Sequence, residues 1–397
     1  MTSIAPPNAA QLAALSEKLD HRRGDGYYGF TLRHFAGPVK HVGELDHLRI
    51  AHLTDLHVGR VTPMAAQYRA VELTNAGKPD LVVITGDFVC HSQAYLDALA
   101  DVIGRFDAPV MCVLGNHDHW SGADEVLRTL RGAGAEVLSN ELTTITLRHQ
   151  RLQVLGLDDA YTSHADYREA VKGLRRDLPT LGLSHIAEEA DRLWYYGVPL
   201  VLSGHTHAGQ VTVAKLHELA LGKVAGHRYV HGLYGDREPA PSADPRATPT
   251  GAVYVGAGIG AAVVPLRLGD RARREVAFFE LGEVPGAFDE HHEEQAPLPG
   301  RAPTERVKER RVRAVQRKRE RREAKANGIV MPEGDAPSSP SDTIEDLPEV
   351  IVEVGERVGP ATRRAAQGRP SSPPPGPPAR NAIFDFGRRV RRKGHRS

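Results

Sequence analysis

The chain has 397 residues, a formal net charge of +1 and only two cysteines. That length can bury a substantial core in one large domain or in two ordinary ones. A net charge so close to zero predicts no partner by itself, and two cysteines exclude a disulfide framework and favour a reducing compartment. No stretch approaches the roughly 18 apolar residues of a membrane span, and no basic start followed by a long apolar core predicts a secretory signal. We therefore expect a cytoplasmic protein.

Three regions differ in composition. Residues 1–45 are predicted to be an N-terminal extension that packs on or leads into a core, and residues 46–283 alternate strand-like with helix-like segments. Residues 284–397 are low-complexity sequence, poor in aromatic residues and rich in Pro and Arg, which predicts a largely disordered tail. The basic run at its end, Phe386–Arg396, leaves three interpretations open: binding to nucleic acid, peripheral binding to an anionic membrane, or no specific partner.

The predicted elements of residues 46–283 follow one another as in an α/β protein. Apolar, β-prone runs predict buried strands at Leu48–Leu53, Leu81–Thr85, Val110–Leu114 and Pro199–Ser203. Helices are predicted at Pro63–Asn75, Ala94–Phe106, Ser121–Gly132, Ala165–Leu174 and Ile186–Tyr196. Further strands are predicted at Leu142–Leu147, Leu152–Leu157, Leu181–His185, Ala252–Val255 and Glu275–Phe279. The later part of this region therefore has more antiparallel strand content than the earlier part.

Asp, Asn and His residues, all of which can bind metal ions, follow the carboxyl ends of several predicted strands. They are Asp55, His57, Asp87, Asn116, His117, Asp118, His185, His205 and His207. Ligands bind at this edge of open α/β sheets, and carboxylate, amide and imidazole groups together are typical metal ligands. Each short motif alone is weak, since an Asp-x-His pair is more often a turn aspartate and a surface histidine. Five such motifs in order, all at strand ends, predict a metal site.

The ordered motifs resemble those of the calcineurin-like metallophosphoesterase superfamily. The resemblance rests on Asp55-x-His57, Gly86-Asp87, Gly115-Asn116-His117-Asp118, His185 and Gly204-His205-x-His207. Two longer stretches, Leu202–Gln210 and Val255–Gly260 with the later Pro265–Arg267, are similar to a bacterial branch of small phosphoesterases. The resemblance implies a four-layer αββα sandwich over the region that begins at residue 46.

The resemblance also implies a role for each residue of these motifs. One divalent ion would be held by Asp55, His57, Asp87 and His207. The other would be held by Asp87, Asn116, His185 and His205, with Asp87 bridging the two ions. His117 would be the catalytic acid, oriented by Asp118. Relatives in this branch often continue the Gly-Asp motif with an acidic residue, whereas Phe88–His91 follows it here, so the pocket beside the metals is expected to differ.

A ligand set of this kind implies metal-dependent hydrolysis of a phosphoester. Two divalent ions about 3.5–4 Å apart lower the pKa of a shared water and generate a hydroxide nucleophile, while His117 protonates the leaving oxygen. Mixed oxygen and nitrogen ligands suit Mn, Fe, Zn or similar ions. The substrate stays open among phosphomonoesters, phosphodiesters and pyrophosphates. Candidate substrate contacts in loops are Arg60, His91, His119, Trp120 and Tyr161.

Two other functions compete with this interpretation. The first is a phosphodiesterase directed to nucleic acid or lipid, recruited by the basic tail. The second is a non-catalytic binding scaffold, which would lack metal ligands or carry a replaced His117. All of those residues are present in this sequence, which favours the enzyme.

Overall fold

The computed structural model describes residues 29–90, 92–209, 227–238, 250–261, 273–287, 290 and 295–298. Several sequence predictions lie outside these residues. They concern most of the N-terminal extension and of the tail, His91, Gln210 and the Pro265–Arg267 stretch.

Two six-stranded sheets form the centre of the described structure. The strands of the first sheet are β1 (Phe30–Ala36), β2 (Leu48–Leu53), β3 (Leu81–Thr85), β4 (Val110–Val113), β5 (Ala135–Val137) and β12 (Arg274–Leu281). Their spatial order is β1-β12-β2-β3-β4-β5, and β2 to β5 are parallel, whereas β12 is antiparallel to β2. The carboxyl ends of β2, β3 and β4 therefore meet at one edge.

The second sheet brings another set of carboxyl ends together. Its strands are β6 (Glu141–Leu147), β7 (Gln150–Gly156), β8 (Thr180–Leu183), β9 (Leu200–Ser203), β10 (Gly232–Gly235) and β11 (Ala252–Val255). Their order is β10-β11-β9-β8-β7-β6, with β7, β8, β9 and β11 parallel and the two outer strands antiparallel to their neighbours.

The helices cover the outer faces of the two sheets. They are α1 (Met64–Ala76), α2 (Leu96–Ile103), α3 (Asn116–Gly132), α4 (Tyr167–Ala170) and α5 (Ala190–Tyr196). Helices α1 to α3 share a hydrophobic core with the first sheet, and α4 and α5 share another with the second. No helix in the described part of the chain has both the length and the apolar character needed to cross a bilayer.

The alternation of side chains along each central strand explains the layering. In β2, Leu48 and Ile50 belong to the core between the sheets, whereas Ala51 and Leu53 belong to the core beneath the helices. Successive side chains of a strand point to opposite faces, so a strand with apolar side chains on both faces is covered on both sides. The same pattern recurs in the other central strands, and the predicted four-layer αββα arrangement is confirmed.

Three local predictions differ from the structure. The helix predicted at Ala165–Leu174 is only the single turn α4, which ends at Ala170, and the left-handed Gly173, with a φ of 83°, does not continue it. Helix α3 begins at Asn116 instead of Ser121, with a break at Gly122. Strands β1, β5 and β10 were not predicted, and β1 lies upstream of residue 46, inside the stretch assigned to the extension.

Candidate metal centre

The candidate ligands lie in loops that leave the two sheets at facing edges. Asp55 and His57 follow β2, Asp87 follows β3, and Asn116 begins α3 after β4. From the second sheet, His185 follows β8, while His205 and His207 follow β9. The structure thus brings all seven predicted ligands to one region, although their sequence positions span more than 150 residues.

Five of these residues have left-handed backbone conformations. The φ angle is 51° at Asp55, 43° at His57, 56° at Asp87, 74° at His205 and 51° at His207. Such conformations cost about 1–3 kcal/mol each and persist only where neighbouring groups fix them. The amide of His57 donates a hydrogen bond to the Asp87 carbonyl at 2.9 Å, and the amide of Gly260 donates to the Asp55 carbonyl at 2.7 Å. The loops therefore hold one another in this strained arrangement.

The first cluster consists of four buried side chains, Asp55, His57, Asp87 and His207. The Nε2 atoms of His57 and His207 lie 3.0 Å apart. Asp55 Oδ1 is 3.3 Å from His207 Nε2, and Asp87 Oδ2 is 3.4 Å from His57 Nε2. Asp55 Oδ1 is buried and has no hydrogen-bond partner among the described residues. A buried carboxylate oxygen left in this state is costly, and a cation among these four groups would satisfy it.

The second cluster contains Asp87, His185 and His205, with Asn116 beside them. His185 Nδ1 donates a hydrogen bond to the Thr85 carbonyl at 2.7 Å. In the neutral ring Nε2 then carries a lone pair, yet it lies 3.1 Å from Asn116 Oδ1 and 3.4 Å from Asp87 Oδ1. Three electron-rich atoms facing one another require a positive charge between them. The donor set of both clusters therefore fits a divalent cation.

The electrostatics of the chain alone show the same deficit of positive charge. Burial raises the pKa of Asp55 to about 7, and the Asp87 carboxylate adds to that shift. Burial would lower the pKa of His185, but Asp87 outweighs it and raises that pKa to about 10. Asp87 itself has a pKa well below its usual value, because the positive charges of His185 and His117 outweigh its burial. A bound cation would replace the proton in meeting this demand.

His117 lies next to both clusters. Its side chain is 12% exposed, its Nε2 is 4.0 Å from Asp87 Oδ2, and its ring meets that of His57 edge-on at 4.8 Å. Its backbone amide donates to Asp87 Oδ1 at 3.0 Å. A partly exposed imidazole held at the edge of the clusters can reach the leaving group of a substrate bound there.

Asp118 braces the loops of the site through backbone amides. Its carboxylate accepts hydrogen bonds from the amides of Gly115 at 2.9 Å, Phe88 at 2.8 Å and Val89 at 3.2 Å. The carboxylate thus ties the turn that carries His117 to the loop that carries Asp87. That it also orients the His117 ring stays a prediction.

The sequence reasoning missed one buried pair beside the second cluster. His227 Nδ1 lies 3.0 Å from Glu188 Oε1, both residues are buried, and the His227 ring is 5.6 Å from that of His205. Neither residue belongs to a strand-end motif, and a contact across 39 positions leaves no local signal in the sequence. The His227 ring therefore packs beside His205 at the border of the second cluster.

The predicted loop contacts have different surroundings. Arg60 is exposed, and His119 pairs with Asp158 at 2.8 Å. Trp120 and Tyr161 lie near the clusters, with their rings in contact with those of His117 and His205, respectively.

Comparison with known proteins gives the family. The family model for calcineurin-like phosphoesterases matches residues 48–209. The chain is 30% identical over 241 residues to phosphodiesterase YaeI of Escherichia coli, covering 59% of this chain and 82% of that protein. It is 27% identical over 271 residues to the uncharacterized metallophosphoesterase YkuE of Bacillus subtilis, covering 65% of this chain and 90% of that one. The chain belongs to the calcineurin-like phosphoesterase family.

A third relative is longer than the matched region. The transmembrane protein with metallophosphoesterase domain of Danio rerio is 29% identical over 252 residues, which cover 59% of this chain and 54% of that protein. The matched region therefore spans about half of that relative, which is named a transmembrane protein.

Proposed function

We propose that the protein is a phosphoesterase that uses two divalent metal ions. Asp55, His57, Asp87 and His207 would hold one ion, and Asp87, Asn116, His185 and His205 would hold the other. The position of Asp87 is the observation that carries this proposal. Its Oδ2 faces His57 at 3.4 Å and its Oδ1 faces His185 at 3.4 Å, so one carboxylate belongs to both clusters.

The residues of the chain have separate tasks in the proposed reaction. The bound ions would supply the acidity that activates water and the positive charge that neutralises the phosphoryl group. His117 would donate a proton to the leaving oxygen, since its ring is partly exposed and lies beside the bridging carboxylate. Asp118 would fix the position of the His117 turn relative to the Asp87 loop, because its carboxylate binds backbone amides of both segments. Mixed oxygen and nitrogen donors suit Mn, Fe, Zn or similar ions.

We propose a phosphodiester as the first substrate class to test. The support is the name of one relative, the phosphodiesterase of Escherichia coli, together with its coverage of 82% by this chain. Phosphomonoesters are the comparison substrate, because the same ligand set can serve both.

The test measures metal content and turnover on the same samples. Purified protein is stripped with a chelator, reloaded with Mn, Fe, Zn or Mg, and assayed with bis(p-nitrophenyl) phosphate and p-nitrophenyl phosphate. We expect metal-dependent turnover with two ions bound per chain. The Asp87→Ala variant should bind neither ion normally, and two ions still bound in that variant would contradict the bridging role.

A matched pair of histidine variants separates catalysis from folding. His117→Asn should retain both metals and lose turnover, whereas His149→Asn, at an exposed hairpin position, should retain both properties. Full turnover in the His117 variant would remove this residue from the proposed mechanism.

A further inference from the structure

Two aromatic side chains border the candidate metal centre. The Trp120 ring lies 4.9 Å from the ring of His117, and the Tyr161 ring lies 5.6 Å from that of His205. The two aromatic rings meet edge-on, with centroids 5.8 Å apart and planes at 78°. This Trp120–Tyr161 pair therefore extends from the predicted proton donor to a candidate ligand of the second cluster.

Trp120 is held in an exposed position by a rigid turn. Its side chain is 40% exposed, although burying an indole is strongly favourable. Helix α3 breaks two residues later at Gly122, where φ is 109° and ψ is 89°. Gln93 Nε2 donates to the Ser121 carbonyl at 2.9 Å, and a Cβ at Gly122 would overlap that Gln93 amide. The turn is thus fixed by specific contacts and does not fold Trp120 inward.

The loop that carries Tyr161 is fixed as well. Asp159 Oδ2 accepts hydrogen bonds from both the amide and the hydroxyl of Thr162 at 2.6 Å. Asn140 spans the loop, because its Oδ1 accepts from the amides of Asp158 at 3.1 Å and Asp166 at 2.8 Å. Tyr161 therefore lies on a loop closed at both ends.

His119 joins the turn and the loop. Its Nε2 is 2.8 Å from Asp158 Oδ1, and its ring stacks on that of His164 at 4.0 Å with planes only 9° apart. His119 is the residue next to Trp120, and His164 lies three positions after Tyr161. The spacing of the Trp120–Tyr161 pair is consequently set by a direct connection between the two segments that carry it.

We infer that the Trp120–Tyr161 pair is a subsite for a flat aromatic ring carried by the substrate, as in an aryl ester or a nucleobase. The inference rests on the proposed function, because a phosphoryl group bound at the clusters, with its leaving oxygen at His117, would place the ester substituent near Trp120, whose ring is 4.9 Å from that of His117. A partly exposed, rigid indole offers a π face on which a planar ring stacks at little entropic cost. A saturated ring of the same size fills the space without that electrostatic match.

Two phosphonates of matched size provide the test. Phenylphosphonate and cyclohexylphosphonate share a head group for the metal ions and differ in the flatness of the ring. Their dissociation constants are measured by calorimetry on the metal-loaded full chain, and hydrolysis of bis(p-nitrophenyl) phosphate is recorded separately. The ratio of the two constants cancels any disturbance of the metal centre, since both ligands depend equally on it.

Variants at each position distinguish ring stacking from bulk. Wild type should bind the phenyl compound about fivefold more tightly than the cyclohexyl compound, in line with the strength of aromatic pairs. Trp120→Leu and Tyr161→Leu should bring the ratio close to one, whereas Trp120→Phe should retain most of the preference. Tyr195→Leu, at an aromatic position 64% exposed on α5, is the control and should keep the wild-type ratio.

The outcomes separate the subsite from the phosphoesterase activity. A wild-type ratio near one, a preference for the cyclohexyl ring, or a ratio unchanged in both leucine variants would overturn the subsite, while hydrolysis would still support the proposed function. Loss of the preference in the leucine variants without any hydrolysis by wild type would support the subsite and overturn the proposed function.

Discussion

Gly204 occupies a position where even one methyl group should disturb the metal centre. It lies between β9 and His205, and a Cβ built there would overlap Thr54 Oγ1 and come within 2.5 Å of Asp55 Oδ2. Those two oxygens are joined by a hydrogen bond of 2.8 Å, and Asp55 Oδ2 also accepts from the His205 amide at 3.1 Å. Gly204→Ala must therefore displace Thr54 or Asp55.

The size of the effect follows from these contacts. Overpacking a filled site costs about 1–3 kcal/mol, and weakening two internal hydrogen bonds adds about 1 kcal/mol each. We expect the free energy of unfolding to fall by about 3–5 kcal/mol in the metal-free protein. Because groups that hold a ligand in place typically contribute 10–100-fold to metal affinity, affinity at the cluster of Asp55 should fall by about that factor.

Chemical unfolding of the metal-free protein and metal titration measure the two effects. Gly132→Ala is the matched control, since a Cβ placed there at the end of α3 meets no atom within 4 Å apart from the adjacent backbone of its own helix, and it should leave metal affinity unchanged. Wild-type metal affinity and stability in the Gly204 variant would refute the steric reasoning.

Three further predictions concern other parts of the chain. His117→Asn should lower turnover on the order of 10²-fold with both metals retained, as measured by steady-state kinetics and metal analysis. Glu275→Gln should destabilise the fold by about 3 kcal/mol at neutral pH, because it leaves the buried Arg33, 2.9 Å away, without its carboxylate. Burial would raise the pKa of Glu275, but His231 and Arg33 hold that pKa well below its usual value of 4.5. The ionised carboxylate therefore stabilises the fold fully above about pH 4.5, and this stabilisation is lost progressively as the pH falls below that value. Urea unfolding of wild type and variant should accordingly show the difference shrinking in acid, and a constant difference would contradict this origin. Replacing the four arginines at 388, 389, 391 and 392 by glutamine should weaken salt-dependent binding of the full chain to duplex DNA or to phosphatidylserine vesicles, and unchanged binding to both would reject recruitment by the tail.

The central strands could be predicted because each is apolar on both faces. β3 and β9 appear in the sequence as short runs of Leu, Ile and Val, β4 as a run of Val, Met and Cys, and β2 as an apolar run interrupted by Arg49 and His52. Each strand is followed within three residues by a candidate metal ligand. The parallel arrangement then places those residues together without any knowledge of side-chain contacts. Local sequence therefore contained most of the information needed to find the candidate ligands.

Strand β1 could not be predicted in the same way. Its sequence contains the adjacent Arg33 and His34 and, unlike β2, is followed by no strand-end motif, which suggests an exposed segment, yet both residues are buried. Arg33 pairs with Glu275 and His34 with Glu280, each more than 240 positions away in sequence. A charge can be buried when a partner neutralises it, and no local pattern reveals a partner so distant.

The neighbours of the ligands were equally hidden. Glu188 and His227 lie outside every motif, and Asp118 binds backbone amides that only the folded loops bring within reach. The motifs identified the candidate ligands and Asp118 itself, whereas the backbone contacts of Asp118 and the supporting groups outside the motifs depend on how the chain packs locally.

The position of β12 has a consequence for protein synthesis. This strand fills the gap between β1 and β2, pairing with Phe30–Ala36 on one side and with β2 on the other. Until the ribosome has released Leu281, both earlier strands lack that neighbour and present unpaired edges, which invite pairing with other nascent chains. Synthesis that stops well beyond Leu281 can therefore still yield a complete first sheet, whereas synthesis that stops before β12 yields an aggregation-prone fragment. Any shortened version made for crystallisation should accordingly end beyond Leu281.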